Sequence, residues 1–368
     1  MFERTHSESP DVTVLEVENN KMRRHDLDWL RIIALGLLIL YHVVVGFQPW
    51  AKHIFFIQND QTLDGVWPLM GMLNVWRIPI LFVVSGMGVC FAMERRTWKL
   101  LLKERALRIF VPFIFGLFCI CPISSYIAMV HYGMETAYWP NPGHLWFLAN
   151  IFLYVLLLLP LLSYLTNRPH HVAFRFLSRC FRHSAGLYVL ALPVIAEAML
   201  VQPEYFSLYV GASHGFWIGL VCFLIGFLSV SLKEVFWHAA EGVRHIALAL
   251  AFILYLVRLL VFELEGPSAL TAFESMNWMF AILGYGSVYL NRPSQMLSYL
   301  NKAVYPVYIV HMPVQFFFSY CLMPLSLPAP VKLVMLLVTT FSLSLLLYEL
   351  LIKRMRWVRP LFGMKLRV

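Results

Sequence analysis

The chain has 368 residues, of which 60% are hydrophobic and 13% are charged, and its mean hydropathy is +0.71. A soluble protein has about 45–50% apolar and about 25% charged residues, so these values exclude disordered, collagen-like and disulfide-scaffold classes and argue against an ordinary cytosolic enzyme. The formal charge is +9, but the basic residues lie between apolar runs, which favours a role in membrane orientation over nucleic-acid binding. We therefore expect a membrane protein with no nucleic-acid partner.

Long apolar runs follow one another along the chain. They show no β-barrel alternation, and their lengths are those of bilayer-crossing helices. This predicts an all-α, polytopic membrane protein of about ten transmembrane helices. We expect a flexible cytoplasmic tail at 1–26, a membrane domain at 27–353 and a basic cytoplasmic tail at 354–368. The predicted spans are 30–47, 68–92, 109–130, 145–165, 185–201, 214–231, 246–264, 273–290, 303–321 and 331–352.

The distribution of basic residues predicts the orientation. If the N-terminus is cytoplasmic, 24 of the 29 Lys and Arg residues fall on the cytoplasmic side and only Lys52 and Lys332 fall on the outer side. The remaining three lie within spans or at their ends. Because loops on the cytoplasmic side carry an excess of Lys and Arg, we expect an even number of spans and both termini in the cytoplasm.

The first span carries a stripe of polar residues. Arg31 and His42 are eleven positions apart, which at about 100° per residue brings them within about 20° of one direction, about 16 Å apart along the axis. Asp28 lies one turn before Arg31 on nearly the same face. Ionisable groups within a span usually face a bundle interior or a wet cavity. The stripe predicts a polar passage; the alternative is a snorkelling Arg31 and a core His42 bound to a backbone carbonyl.

The second span contains Asn74 and Arg77, followed by Pro79 and the pair Ser85-Gly86. A proline inside a helix removes a hydrogen bond and kinks or breaks it, and small residues let helices approach closely. We expect a broken helix near Arg77 that lines a cavity. A buried ion pair at Arg77 is the alternative.

Two arginines follow the second span. Arg105 and Arg108 are at positions i and i+3, so on a helix they project together. Paired guanidinium groups suit phosphate recognition, because arginine binds phosphate oxygens in a bidentate manner. Contact with anionic lipid is the alternative.

Histidines mark two later spans. His311 lies between Pro306 and Pro313, where we expect a pocket residue, whereas His144 and Trp146 open the fourth span at the position of an interfacial anchor. None of the six cysteines forms a CxxC pair, and we expect no metal site. The candidate substrate-binding residues are Asn74, Arg77, Ser85, His144, Trp146 and His311.

The order of these landmarks resembles the acyltransferase-3 family of multi-span membrane acyltransferases, which O-acylate bacterial surface and periplasmic carbohydrates. Within the family, the chain looks most like the branch that contains the periplasmic-glucan succinyltransferases. The resemblance covers residues 28–363, nearly the whole chain. It is carried by Leu27-Asp28-Trp29-Leu30-Arg31 with His42, Phe82-Val83-Val84-Ser85-Gly86, Arg105-Ala106-Leu107-Arg108, His144-Leu145-Trp146-Phe147-Leu148, Val307-Tyr308-Ile309-Val310-His311, Tyr348-Glu349-Leu350 and Arg359-Pro360-Leu361-Phe362-Gly363.

The resemblance implies transfer of an acetyl or succinyl group from cytoplasmic acyl-coenzyme A to a carbohydrate hydroxyl at the outer face of a bacterial inner membrane. His42 is then the expected general base, with Arg31 guiding the donor or steadying charge. Arg105 and Arg108 are expected to hold the phosphates of coenzyme A. Direct transfer and a covalent acyl-enzyme both stay open, as does the oligomeric state. The leading alternative is a transporter or exporter of a glycan or small molecule, in which the polar residues line a substrate path.

Overall fold

The computed structural model describes residues 24–366, so most of the tail predicted at 1–26 lies outside the described residues. Between 24 and 366 the regular structure is entirely helical and no residue forms a strand. The predicted all-α class is therefore confirmed.

The helices are long and are joined mostly by short connections. Two π-helical turns, Ala106–Phe110 and Gly116–Ile120, interrupt the helix Trp98–His131, and a third, Tyr348–Ile352, extends the helix Ala329–Leu347. The helices are α1 (His25–Val45), α2 (Trp67–Met93), α3 (Trp98–His131), α4 (Trp146–Thr166), α5 (Val172–Cys180), α6 (Ala191–Val201), α7 (Ser213–Ser231), α8 (Glu234–Phe262), α9 (Ser268–Tyr289), α10 (Gln295–Leu322) and α11 (Ala329–Leu347).

Among the described residues, eight helical segments are long and apolar enough to cross a membrane. They are α1, α2, α3, α4, α7, α8, α6 together with the turn before it, and α11 together with its π turn. The two remaining predicted spans coincide with α9 and α10, which have 22 and 28 residues but are less apolar. A polytopic membrane fold is thus established, and the number ten remains a prediction.

Helix α2 lies at the centre of the bundle, with 78% of its apolar window buried. It crosses α7 with the backbones in close contact: a Cβ atom on Gly86 would lie 1.9 Å from the carbonyl oxygen of Phe223, and one on Gly226 would lie 1.9 Å from that of Val83. The close packing expected from Ser85-Gly86 therefore forms. It holds the polar face of α2 at a fixed distance from its neighbours.

The prolines of α2 and α10 do not end these helices. Helix α2 continues through Pro79 to Met93, so the predicted break near Arg77 is wrong, and α10 contains both Pro306 and Pro313 rather than being bounded by them. Membrane helices tolerate proline when another group takes the carbonyl that it leaves free. Tyr209 does this for Pro79, since its hydroxyl donates to the carbonyl oxygens of Asn74 at 3.1 Å and Val75 at 3.2 Å.

A buried ion pair joins α8 to α9. Arg258 binds Glu274 in a bidentate manner, with Nε–Oε2 at 2.6 Å and Nη2–Oε1 at 3.0 Å, and the Glu274 carboxylate also accepts from the Trp278 indole at 3.3 Å. Both charged side chains are buried. This ion pair stabilises the packing of α8 against α9. The predicted site residues lie on other helices, which enclose a cavity.

Residues 354–366, predicted as a basic tail, fold back onto the bundle. The short helix Arg359–Phe362 places the Phe362 ring 5.5 Å from that of Phe115 in α3, and Arg359 Nε donates to the Lys353 carbonyl at 2.9 Å. Residues of this segment and of the first turns of α1 line the same cavity.

Candidate active site

A cavity of about 1390 Å³ runs between α1, α2, α3, α4 and α10. Nine of the ten predicted site residues line it, and the tenth, His311, lies directly behind His42. The nine are Arg31, His42, Asn74, Arg77, Ser85, Arg105, Arg108, His144 and Trp146.

The two ends of the cavity differ in character. One, which we call the basic end, is lined by Arg95, Arg96, Arg108, Lys302 and Lys365, and the other, the aromatic end, by Phe55, Phe56 and Phe316. Apolar side chains of α1 and α2 form the wall between them. Along α1, Arg31 and His42 are separated by about 16 Å, from the helical rise. A ligand that reaches both must be elongated, with a charged end and an apolar middle.

Two imidazoles meet near the aromatic end. His42 Nδ1 and His311 Nε2 lie 3.0 Å apart, and His311 Nδ1 lies 2.7 Å from the carbonyl oxygen of Tyr308. A carbonyl oxygen can only accept, so Nδ1 of His311 carries its proton and its Nε2 is the acceptor. His42 must then donate from Nδ1. The network thus assigns the lone pair of the half-buried, cavity-lining His42 to Nε2.

His144 fastens the start of α4 to α10. Its Nε2 donates to the carbonyl oxygens of Tyr308 at 3.0 Å and Ile309 at 3.2 Å, and the Tyr308 hydroxyl donates back to the His144 carbonyl. The Ile309 carbonyl is available because Pro313, four residues later, has no N–H to donate to it. His144 also packs edge-on against His311, with ring centroids 4.9 Å apart. Its contacts are those of a residue that positions the His42–His311 pair.

Arg77 is a buried cation with unused donors. It is 2% exposed, its Nη2 donates to Asn74 Oδ1 at 2.9 Å, and its guanidinium lies 4.4 Å from the centre of the Tyr41 ring. Its Nε and Nη1 are buried without a partner, and among the described residues no carboxylate pairs with it. A buried charge ordinarily has a counter-charge or a ligand, so the cavity beside His42 offers a place for negative charge.

Ser85 and Trp146 both form part of the cavity wall. The Ser85 hydroxyl donates to the Leu81 carbonyl of its own helix at 2.7 Å, so it has no proton left for a ligand while that bond holds. Trp146 packs against Phe82 with ring centroids 6.2 Å apart. Both line the cavity, as expected for substrate contacts, but their visible contacts are with the fold.

Arg31 lies beside Arg105 rather than near His42. Arg31 Nη1 is 3.3 Å from Asp28 Oδ1, its Nη2 donates to the Val84 carbonyl at 3.4 Å, and Arg105 Nη2 donates to the Gly88 carbonyl at 3.3 Å. Val84 and Gly88 are one turn apart on α2, so the two guanidinium groups reach the same stretch of one helix.

Arg108 lines the cavity together with Arg105, and the two guanidinium groups are close enough to repel each other. Arg108 pairs with Glu104 at 3.5 Å, and its side chain is 44% exposed at the rim of the basic end. It sits in the π turn Ala106–Phe110, and this turn alters the ordinary helical spacing between the two arginines.

A loop covers the cavity over His42. The Phe56 ring lies 6.0 Å from the His42 ring, and Tyr132 holds this loop by donating to the Phe56 carbonyl at 2.6 Å and accepting from the Gln58 N–H at 3.1 Å. Burial raises the pKa of Tyr132 above its usual value, so its hydroxyl remains a neutral donor. The aromatic end of the cavity is therefore bounded by a loop that hydrogen bonds hold in place.

Sequence reasoning missed the partners that organise the site. The contact between His42 and His311 joins residues 269 positions apart, and the Tyr209 hydroxyl reaches α2 from a connecting segment. The prolines were the only indication in the sequence of these partners. Pro79 and Pro313 each leave one backbone carbonyl without an N–H donor, and a side chain donates a hydrogen bond to that carbonyl instead.

Comparison with known proteins identifies the family of the chain. Residues 24–349 match the acyltransferase-3 family model, which is described as an acyltransferase domain, and this range contains all ten predicted site residues. The chain belongs to the acyltransferase-3 family. The predicted resemblance is confirmed, and it makes this acyltransferase-3 protein a multi-pass membrane protein of an acyl-transfer family.

The curated relatives are distant but cover nearly the whole molecule. This acyltransferase-3 protein is 20% identical over 361 residues to proteins named glucans biosynthesis protein C from Salmonella paratyphi B and Salmonella enteritidis. The alignments cover 89% of this chain and 91% of each relative. No solved structure matches the chain.

Proposed function

We propose that the protein transfers an acyl group, acetyl or succinyl, from acyl-coenzyme A to a carbohydrate hydroxyl on the outer side of a bacterial inner membrane. The observation that carries the proposal is the single cavity that joins the arginines at the basic end to the His42–His311 pair. Its ends suit the two substrates of such a transfer. The excess of basic residues at one end supports a cytoplasmic location for that end and for both termini.

The donor fits the cavity lengthwise. The phosphates of coenzyme A suit the guanidinium groups of Arg31 and Arg105, with Arg108 at the rim, because arginine binds phosphate oxygens strongly. The pantetheine arm then lies along the apolar wall between α1 and α2. The arm separates the phosphates from the thioester by a distance on the order of the 16 Å between Arg31 and His42, so the thioester reaches the imidazoles. This assigns Arg31 to donor binding.

His42 is positioned to act as the general base. Its Nε2 takes the proton of the acceptor hydroxyl as that oxygen attacks the thioester carbonyl, and the resulting imidazolium keeps its Nδ1–H on His311. The tetrahedral intermediate collapses by breaking the C–S bond. The thiolate of coenzyme A takes the proton from His42, which leaves an ester and free coenzyme A. A positioned base contributes about 10²–10⁴-fold to such a step.

Arg77 supplies charge stabilisation for the same step. Its two unused donors lie beside the imidazole pair in a buried site, where fixed donors stabilise a developing oxyanion most strongly. Asn74 orients the guanidinium through its Oδ1. Because Ser85 donates to its own helix, we assign the oxyanion role to Arg77.

The acceptor enters at the aromatic end. The Salmonella relatives are named for glucan biosynthesis, which supports a glucan or a similar carbohydrate as acceptor. Asn141 and Ser207 also line the cavity, and with the aromatic rings they form the mixed polar and aromatic surface that suits a sugar.

The test uses the purified full chain in lipid vesicles with isotope-labelled acetyl- or succinyl-coenzyme A and an oligosaccharide glucan. The proposal predicts labelled ester on the glucan by mass spectrometry and release of one coenzyme A per ester. Protein with His42→Gln should form both products about 10²–10⁴-fold more slowly. Movement of unmodified glucan across the vesicle membrane without acylation would overturn the proposal in favour of an exporter.

A further inference from the structure

Three side-chain donors converge at the basic end of the cavity. A Cβ atom on Gly88 would lie 2.9 Å from Arg31 Nη2, and Arg105 Nη2 donates to the carbonyl of the same Gly88. Arg105 Nε and the Tyr305 hydroxyl are both buried without a partner, and the two side chains interact electrostatically. The unused donors at this place are therefore Arg105 Nε and the Tyr305 hydroxyl, and Gly88 lies beside them.

The local charge at this place is strongly positive. The guanidinium groups of Arg31 and Arg105 repel each other. Of the nearby acids, Asp28 pairs with Arg31 itself, whereas Glu104 pairs with Arg96 and Arg108 at the rim. Two close guanidinium groups with an unpartnered hydroxyl beside them suit a phosphoryl group, which accepts several charge-assisted hydrogen bonds at once.

Residues 359–365, which follow α11, pack against one side of this group of donors. Gly363 has φ +68°, and a Cβ atom there would lie 2.5 Å from Tyr305 Cε1 and 2.8 Å from the Arg108 carbonyl oxygen. The segment therefore docks directly on Tyr305 and Arg108 because residue 363 has no side chain. Lys353 also lines the cavity and donates to the Glu349 carboxylate at 2.7 Å.

We propose that Arg31, Arg105 and Tyr305 form a phosphoryl-binding subsite whose wall is completed by residues 359–365. The inference rests on the proposed function and deepens it: the ligand is a phosphoryl group of the nucleotide portion of the acyl donor. The Tyr305 hydroxyl donates to it beside Arg105 Nε. A phospholipid headgroup carries the same chemistry, so the test separates the two sources.

The first experiment measures binding alone, so its result does not depend on acyl transfer. Adenosine 3′,5′-bisphosphate and coenzyme A are titrated calorimetrically into the full chain with the variants Tyr305→Phe and Tyr188→Phe. Tyr188 is the matched control, since its hydroxyl donates to Asn277 outside the cavity at 2.7 Å. Loss of a hydrogen bond to a charged group predicts about a tenfold higher Kd for Tyr305→Phe and an unchanged Kd for Tyr188→Phe.

The second experiment tests residues 359–365 with a pair of glycine variants. Gly363→Ala should raise the Kd of coenzyme A about tenfold, because the new Cβ displaces the segment from Tyr305. Gly133→Ala has nearly the same backbone strain, with φ +62° but open space around it, and should leave the Kd unchanged. Equal affinities in Tyr305→Phe, Gly363→Ala and their controls would overturn the subsite.

The same preparation tests whether the phosphoryl group belongs to a phospholipid headgroup instead of the acyl donor. Coenzyme A binding is repeated in phosphatidylcholine vesicles with and without phosphatidylglycerol. A Tyr305-dependent Kd that phosphatidylglycerol leaves unchanged supports the nucleotide assignment. Tyr305-dependent displacement of the probe by phosphatidylglycerol contradicts it. Tyr305-dependent binding in a protein that transfers no acyl group would uphold the subsite while overturning the proposed function.

Discussion

The Nδ1 atom of His42 lies 3.0 Å from the Nε2 atom of His311, and the His311 Nδ1–H is committed to the Tyr308 carbonyl at 2.7 Å. This chain of hydrogen bonds runs in one direction only, because its last acceptor is a backbone oxygen. It holds His42 in the tautomer whose Nε2 is basic. His311 therefore acts through His42 as a positioning residue.

Replacing His311 should separate tautomer control from simple packing. His311→Leu leaves His42 Nδ1 without its acceptor, and we expect kcat to fall by up to about 10⁴-fold, the loss that follows when the orienting partner of an imidazole base no longer fixes its tautomer. His311→Gln places an amide oxygen near the former Nε2 and should recover at least tenfold of this loss. Steady-state kinetics with both substrates provides the measurement.

The same pair of variants has a second readout. With His311→Leu, the pH dependence of kcat/KM should change shape, because His42 no longer titrates in a fixed tautomer. With His311→Gln the wild-type profile should persist. If both variants lose the same activity and keep the same profile, His311 serves packing alone.

Arg77 should be more important for rate than for stability. Arg77→Met removes a buried guanidinium whose Nε and Nη1 have no partner, and an apolar side chain of similar length relieves that unfavourable burial. We expect thermal stability in detergent to stay the same or rise, while kcat falls about 10²–10³-fold as for a lost oxyanion donor. A stability loss that parallels the activity loss would instead identify Arg77 as a structural cation.

Arg258 and Glu274 should show the opposite behaviour. Arg258→Met leaves the Glu274 carboxylate buried without its counter-charge, which should destabilise the protein by about 3–5 kcal/mol. The double variant Arg258→Met with Glu274→Leu removes both charges and should recover most of that loss. Denaturant unfolding in detergent measures both, and a double variant no more stable than the single one would contradict the account.

The local part of the site was predictable from the sequence. Arg31 and His42 share a helix, so a period of 3.6 residues per turn is enough to place them on one face, and both do line the cavity. The basic residues between apolar runs likewise predicted a membrane fold. These predictions succeed because they depend only on helix geometry and on the cost of charge in lipid.

The rest depended on tertiary contacts that periodicity does not contain. Pro79 was expected to break α2, but Tyr209 supplies a donor to the freed Val75 carbonyl and the helix continues. Ser85 was a candidate substrate-binding residue, but its hydroxyl donates to the Leu81 carbonyl. Arg105 and Arg108 were expected to act together, and both line the cavity, but the position of Arg105 beside Arg31 depends on contacts of both with Gly88 of α2.

The central claim is that His42 removes the proton of the acceptor hydroxyl, and single-turnover acyl transfer by His42→Gln tests it most directly. Acyl-coenzyme A is bound first, glucan is added, and ester formation is followed by rapid quench, with His245→Gln outside the cavity as the matched control. We predict wild-type donor affinity in both variants, a transfer rate about 10²–10⁴-fold lower for His42→Gln and an unchanged rate for His245→Gln. A wild-type transfer rate in His42→Gln would contradict the account.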